Sequence, residues 1–167
     1  TKNISGVLRA RQIARTKGHD LRLAVIVDGE DLEVLHALTS LLGLEQQARW
    51  LGRLPNSEVL KRMAATGSVI INSNVETFSV VTGEALALGK PVIATRCGGP
   101  EAFILPENGV LIAPRDDKEL SEAMIAMASD HANYSPASVR ATVSARFSPE
   151  AVAAGLLSVY QQALHHG

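Results

Sequence analysis

Residues 68–95 read SVIINSNVETFSVVTGEALALGKPVIAT, and this pattern predicts a strand, a turn, a helix and a second strand. The two apolar runs, Ser68–Asn72 and Pro91–Thr95, are short, rich in β-branched residues and hardly alternate with polar ones. Such runs are typical of parallel strands covered on both faces, although segments of a buried helix can look alike. Small and polar residues follow the first run, and we expect a helix to begin near Ser79 or Val80.

Three further apolar runs continue the pattern on either side. They predict strands at Leu21–Val27, Ala48–Leu51 and Val110–Ala113, and the first of them ends at a turn signal, Asp28-Gly29. Longer amphipathic stretches with apolar residues at helical spacing separate the runs. This alternation predicts an α/β fold: a Rossmann-like, doubly wound parallel sheet with helices on both faces. Ligands of such sheets bind beyond the carboxyl ends of the strands.

Capping residues mark the start of two helices. Asp116, with Glu119 three residues further on, predicts the beginning of one helix. Ser148 and Pro149 predict the beginning of the last helix, with proline at its first position. The apolar face predicted for this last helix consists of Val152, Leu156, Val159, Tyr160 and Ala163.

The composition limits the class of protein. The 167 residues are 46% hydrophobic and 20% charged, which suits one domain with a buried core. Sixteen Lys and Arg balance seventeen Asp and Glu, so the basic surplus usual in nucleic-acid binders is missing. With no apolar run of the ~18 residues that span a bilayer and no signal peptide, we expect a cytoplasmic protein. Cys97 is the single cysteine, and the five histidines are scattered, so we expect no metal site.

The segment between the first two runs has the chemistry of a ligand site. The first amides of the helix beginning near Ser79 would be free to bind an anion. Glu76 before the helix and Glu84 inside it would repel a phosphate, so hydroxyl groups are their natural partners. A phosphate ligand flanked by polyols, such as a nucleotide-sugar, would satisfy both features. Taken alone, two glutamates eight residues apart are more often a loop cap and a solvated helix residue than a ligand site.

In combination, these residues resemble retaining glycosyltransferase family 4, enzymes of GT-B architecture. The family motif, Glu-x7-Glu followed by a Gly-Gly loop, corresponds here to Glu76 through Glu84 and then Gly98-Gly99. The resemblance continues through NGVLIAPRD at 108–116 and extends back to LGRLPN at 51–56 and KN at 2–3. It covers nearly the whole chain in order.

The resemblance implies roles for particular residues. Glu84 would bind the ribose hydroxyls of a UDP- or GDP-sugar donor, and Glu76 would approach hydroxyls of the transferred hexose. Catalysis would rest on Glu76 and on Lys2, which would neutralise the leaving diphosphate. No metal or cofactor is implied. The remaining donor contacts would come from backbone groups at Phe78, Ser79, Val80, Val81, Arg53 and Leu54.

Two departures from the family pattern are visible. Ser79 replaces the usual glycine after Phe78, which puts the identity of the donor sugar in question. The family's six strands lie in the order 3-2-1-4-5-6, and the first, which precedes the Lys2 segment, has no counterpart here. We therefore expect residues 1–167 to be a C-terminal donor-binding domain, inactive alone. Its partner would be an N-terminal acceptor domain, through which some relatives lie on a membrane.

Other classes remain as alternatives. A non-catalytic α/β nucleotide-binding or regulatory module is the main one, but a receiver-like domain needs an acidic cluster, and Asp28 is the only candidate residue. A dinucleotide-binding domain is disfavoured because no G-x-G-x-x-G is present. A sugar-nucleotide epimerase would share the fold but carry different motifs.

Overall fold

The computed structural model describes residues 2–165. Five short strands alternate with helices along the chain, as the sequence predicts. The elements are α1 (Ile4–Thr16), β1 (Leu23–Val25), α2 (Leu32–Leu41), β2 (Ala48–Trp50), α3 (Asn56–Ala64), β3 (Val69–Ile71), α4 (Val80–Ala87), β4 (Val92–Thr95), β5 (Gly109–Ile112), α5 (Asp117–Ser129), α6 (Pro136–Phe147) and α7 (Pro149–His165). Short 3-10 turns at Gly99–Ala102 and His131–Asn133 complete the order.

All strand pairs are parallel, but they form two sheets instead of one. β1 pairs with β2, and β3, β4 and β5 pair in that order. The predicted runs are confirmed as strands, although most ladders are one or more residues shorter than the runs. Leu21–Val27, for example, contributes only Leu23–Val25 to its ladder. The apolar runs indicate which residues are buried. The strands are shorter because each extends only as far as its backbone hydrogen bonds to the neighbouring strand.

Helices cover both faces of the three-stranded sheet, which confirms the doubly wound fold. On one face, α1 and α5 pack side chains such as Val7 and Met124 against Ile93 and Ile112. On the opposite face, α3, α4 and α6 pack around Val92 and Ala94. A smaller cluster beneath α1 and α2 contains Leu8, Leu35, Leu44 and Ala48. No helix within residues 2–165 has both the length and the apolarity needed to cross a bilayer.

The two predicted helix starts are confirmed. The Asp116 carboxylate accepts the amide of Glu119 at 2.8 Å, while the Glu119 carboxylate reaches the amide of Ala113 instead of returning to Asp116. Proline is the first residue of α7, and Ser148 Oγ accepts the amide of Ala151. The predicted apolar face of α7, however, is not covered: the exposed fractions of Val152, Leu156, Val159 and Tyr160 run from 46% to 66%.

Candidate functional site

The loops that follow β3 and β4 are joined at the carboxyl edge of the sheet. The amide of Glu76 donates to the carbonyl of Cys97 at 3.0 Å, and the amide of Gly99 donates to the carbonyl of Glu76 at 2.6 Å. Glu76 and Gly98 thereby form a parallel bridge beyond the ends of the strands. A Cβ on Gly98 would lie 2.5 Å from the Glu76 carbonyl oxygen, so this close approach of two backbones requires the Gly-Gly pair.

Thr95 provides a second connection between the same two strands. Its buried hydroxyl accepts the amide of Ser73 at 3.0 Å and donates to the carbonyl of Ser73 at 2.7 Å. Ser73 in turn donates its own hydroxyl to Glu76 Oε1 at 2.8 Å. A chain of hydrogen bonds therefore runs from the last residue of β4 to the Glu76 carboxylate. No role was predicted for Ser73 or Thr95 from the sequence. Their position at the ends of two adjacent predicted strands is the feature from which a contact between them could have been inferred.

Glu76 also forms an ion pair with Lys2, as the chain enters α1. Burial alone would raise the pKa of Glu76, but hydrogen bonds from Lys2 and Ser73 and the charge of Lys2 outweigh it, and the pKa falls below its ordinary value. Lys2 is half-exposed. Two residues that lie 74 positions apart are thus brought together as a charged pair at the carboxyl edge.

The α4 helix begins at Val80, as predicted, but the residue before it has an unusual backbone conformation. Ser79 has φ 63° and ψ 62°, in the left-handed region that residues other than glycine rarely adopt. Its hydroxyl lies 2.8 Å from Thr82 Oγ1, and both residues are buried. The first bonds of the helix run from Thr82 and Gly83 to the Ser79 carbonyl. The amides of Val80 and Val81 precede those bonds and form the positive end of the helix.

The side chains of Phe78, Val80 and Val81, beside the start of α4, differ in their exposure. Phe78 is 52% exposed, and its ring packs edge-on against Phe103 and Phe147, with centroids 5.1 and 6.2 Å apart. About half of the Phe78 side chain therefore stays accessible beside the helix start, although its ring packs against two others. Val80 is 60% exposed and Val81 is partly buried.

Glu84 connects α4 to the loop that follows β2. Asn56, the first residue of α3, donates Nδ2 to Glu84 Oε1 at 3.1 Å. Arg53 and Leu54 lie two to three residues before Asn56, so this hydrogen bond brings their loop beside Glu84. The Arg53 side chain itself is exposed, 3.9 Å from Asp28. Asn56 was quoted within the LGRLPN stretch but assigned no role, because sequence gives no sign of a contact with α4.

The arrangement combines positive charge with hydrogen-bond acceptors. Lys2 and the amides that begin α4 supply positive charge, while Glu76 and Glu84 supply hydrogen-bond acceptors. Over residues 2–165, no group of three or more His, Cys, Asp or Glu side chains has a geometry that could hold a metal ion.

The classification of the chain follows from its match to one protein family. The sequence profile of the family "Glycosyl transferases group 1" matches residues 1–142. The chain belongs to this family. The resemblance suggested by the Glu-x7-Glu and Gly-Gly residues is thus confirmed for the group 1 family, whereas the assignment to the retaining family 4 stays a prediction.

One curated relative is similar in sequence, and two solved structures share the fold. A D-inositol 3-phosphate glycosyltransferase from Corynebacterium jeikeium is 31% identical over 141 residues, covering 80% of this chain but 32% of that protein. The HepE protein of Anabaena, solved in complex with UDP, superimposes with a TM-score of 0.79 at 23% identity, over 93% of this chain and 44% of its own. The C-terminal domain of a group 1 protein, LpcC from Francisella tularensis, has a TM-score of 0.76 at 24% identity, over 88% of this chain and 80% of its own.

Proposed function

We propose that this group 1 chain is the donor-binding part of a retaining glycosyltransferase that uses a UDP- or GDP-sugar. The observation that carries the proposal is the convergence of Lys2, Glu76 and the start of α4 at one edge of the sheet. The UDP bound to HepE supports a nucleotide ligand. The chain spans only 32% of the length of its Corynebacterium relative, and an acceptor-binding domain would complete the enzyme.

The diphosphate of the donor would lie against the amides of Val80 and Val81. These amides are aligned with the axis of α4, whose dipole favours an anion at this end. Lys2 would exchange its partner, Glu76, for the diphosphate. Since the sugar–phosphate bond breaks with negative charge building on the leaving diphosphate, a lysine and fixed dipoles stabilise the transition state without a metal ion.

The glutamates would bind the two polyols of the donor. Glu84, held by Asn56, would accept hydroxyls of the ribose, beside the base-binding backbone of Arg53 and Leu54. Glu76, with the backbone amides of Phe78 and Ser79, would accept hydroxyls of the transferred hexose. The pKa of Glu76, lowered by its hydrogen bonds and by Lys2, keeps its carboxylate ionised and able to accept at neutral pH.

Titration calorimetry with UDP, GDP and ADP tests this proposal on the 167-residue chain. We expect one of the uridine or guanosine nucleotides to bind, and Glu84→Gln to weaken binding about tenfold or more, since a hydrogen bond to a charged group contributes roughly 1.5–3 kcal/mol. Glu122→Gln is the matched control, because Glu122 lies on α5 and pairs only loosely with Lys17, at 3.5 Å. Indifference to all three nucleotides would contradict donor binding and favour a non-catalytic regulatory module.

A further inference from the structure

The carboxylate of Glu76 has one buried partner and one half-exposed partner. Ser73 is 1% exposed, and its hydroxyl donates to Glu76 Oε1 at 2.8 Å. Lys2, which donates to the same oxygen, has 49% of its side chain exposed. An ion pair made by a long, solvated side chain fixes geometry weakly, because side-chain entropy offsets its attraction. The direction of the Glu76 carboxylate therefore depends mainly on Ser73.

Ser73 is itself held by the neighbouring strand. Thr95, the last residue of β4, is fully buried, and its hydroxyl bonds to both the amide and the carbonyl of Ser73. The backbone of Ser73 also forms an antiparallel bridge with Lys2. A buried residue with a fixed backbone has few rotamers open to it. The sheet thus sets the point from which the Ser73 hydroxyl reaches Glu76.

The two oxygens of the Glu76 carboxylate have different surroundings. Lys2 and Ser73 both donate to Oε1. Oε2 accepts no hydrogen bond from residues 2–165, and it is not sealed from solvent. The Glu76 side chain as a whole is 18% exposed. Because each oxygen of an ionised carboxylate can accept hydrogen bonds, Oε2 is available to a donor that arrives from solution.

We propose that Ser73 is a positioning residue: its hydroxyl holds Glu76 by Oε1 and presents Oε2 as the oxygen that accepts a ligand hydroxyl. That this hydroxyl belongs to the hexose of a sugar donor rests on the proposed function. When Lys2 turns to the diphosphate, Ser73 keeps the carboxylate in the same orientation. A preoriented acceptor loses less conformational entropy on binding. Ser73 contributes to sugar recognition through Glu76, without touching the sugar.

Nuclear magnetic resonance of the 167-residue chain tests the positioning role without any nucleotide. Ser73→Ala removes the hydroxyl, and Ser73→Cys keeps a weaker donor of similar size. We expect the pKa of Glu76, followed at its carboxyl carbon, to be lowest in wild type, intermediate in Ser73→Cys and highest in Ser73→Ala, because the hydrogen bond favours the ionised form. Three-bond couplings should show one Glu76 rotamer in wild type and averaging over several in Ser73→Ala. Ser73→Cys carries the comparison with wild type if Ser73→Ala fails to fold.

Ser121→Ala is the matched control. Ser121 lies on α5, is as buried as Ser73, and its hydroxyl has no partner among residues 2–165, so both readouts at Glu76 should stay unchanged. Lys2→Met removes the other partner of Glu76, and the carboxylate should still keep one rotamer. Averaging over rotamers in Lys2→Met would overturn the proposal, since lysine would then orient Glu76. So would a pKa of Glu76 in Ser73→Ala equal to that in wild type.

Calorimetry extends the test to the ligand. Ser73→Ala should weaken binding of UDP-glucose, or of GDP-mannose where guanosine is the base bound, roughly tenfold, the scale of one hydrogen bond to a charged group. UDP or GDP alone lacks the hexose and should lose much less affinity. Equal losses for nucleotide and nucleotide-sugar would overturn the proposal, since the whole site would then be disturbed. Absence of all nucleotide binding would contradict the proposed function, and the magnetic resonance readouts would still decide the role of Ser73.

Discussion

The two sheets differ in how completely their strands are surrounded. All four residues of β4 are buried, because β3 and β5 flank it and helices cover both faces. In β1 only Val25 is buried, and β2 is its single partner among the described strands, over a ladder of three residues. The loops follow the same division: those after β3 and β4 are joined by backbone hydrogen bonds, whereas an exposed ion pair of Asp28 with Arg53 links the loops after β1 and β2. The strand with neighbours on both sides is the one that is buried along its whole length.

The largest expected effect comes from truncating one core side chain in each sheet. Ile93→Ala should destabilise the protein by about 2–5 kcal/mol, because Ile93 is 1% exposed and packed between α1 and α5. Leu23→Ala should cost under about 2 kcal/mol, because Leu23 is partly exposed and borders a cavity of about 580 Å³. Urea denaturation followed by circular dichroism measures both. Equal losses of unfolding free energy in the two variants would mean that the two sheets are equally well packed, which would contradict the structure.

A smaller effect on stability is expected from removing the charge of one carboxylate beyond each sheet, Glu76 after β3 and Asp28 after β1. Glu76→Gln should cost about 1–2 kcal/mol at neutral pH, because the carboxylate accepts hydrogen bonds from Lys2 and Ser73. Folding lowers the pKa of Glu76 below its ordinary 4.5, so this contribution is complete above that pH and lost as the pH falls through the folded pKa. The difference between wild type and variant should therefore shrink on acidification.

Asp28→Asn is the control for this carboxylate. Its ion pair with Arg53 is exposed on both sides, so the substitution should change stability by less than about 0.5 kcal/mol at any pH. Denaturant titrations at several pH values compare the two variants. A pH-independent effect of Glu76→Gln would contradict the charged pair with Lys2.

The smallest difference between variants is expected for two residues in the left-handed conformation, Ser79 after β3 and Gly52 after β2. Ser79→Gly should lie within about 1 kcal/mol of wild type, because relief of the left-handed strain offsets loss of the bond to Thr82. Ser79→Ala keeps the strain and loses the bond, so it should cost about 1 kcal/mol. Gly52→Ala should cost about 1–2 kcal/mol through conformation alone, since a Cβ there meets open space. Thermal unfolding ranks the three variants, and a lower stability of Ser79→Gly than of Ser79→Ala would refute this account.

Local patterns were sufficient to predict the five strands and several helices, but not α3, and distant contacts were not predictable. The five strands, the start of α4 and the Asp116 cap depend on neighbours a few residues apart, which the sequence displays directly. The hydrogen bond of Asn56 with Glu84 joins residues 28 positions apart, and the hydrogen bonds of Thr95 with Ser73 join residues 22 positions apart. The periodicity of the sequence contains no information about such contacts. Periodicity likewise identifies which residues of α7 share a face, but it cannot say what covers that face.

The backbone of Glu76 is held from both sides, by the carbonyl of Cys97 and the amide of Gly99. A carboxylate on a fixed backbone can change partners only by rotating its own side-chain bonds. Rotations of exposed side chains take picoseconds to nanoseconds, whereas the opening of a loop takes longer. The ammonium group of Lys2 is on the half-exposed side chain of this pair, so its release from Glu76 requires no movement of the loop backbone. In the donor site proposed above, capture of the diphosphate should therefore follow ligand concentration, with no slow opening of a loop.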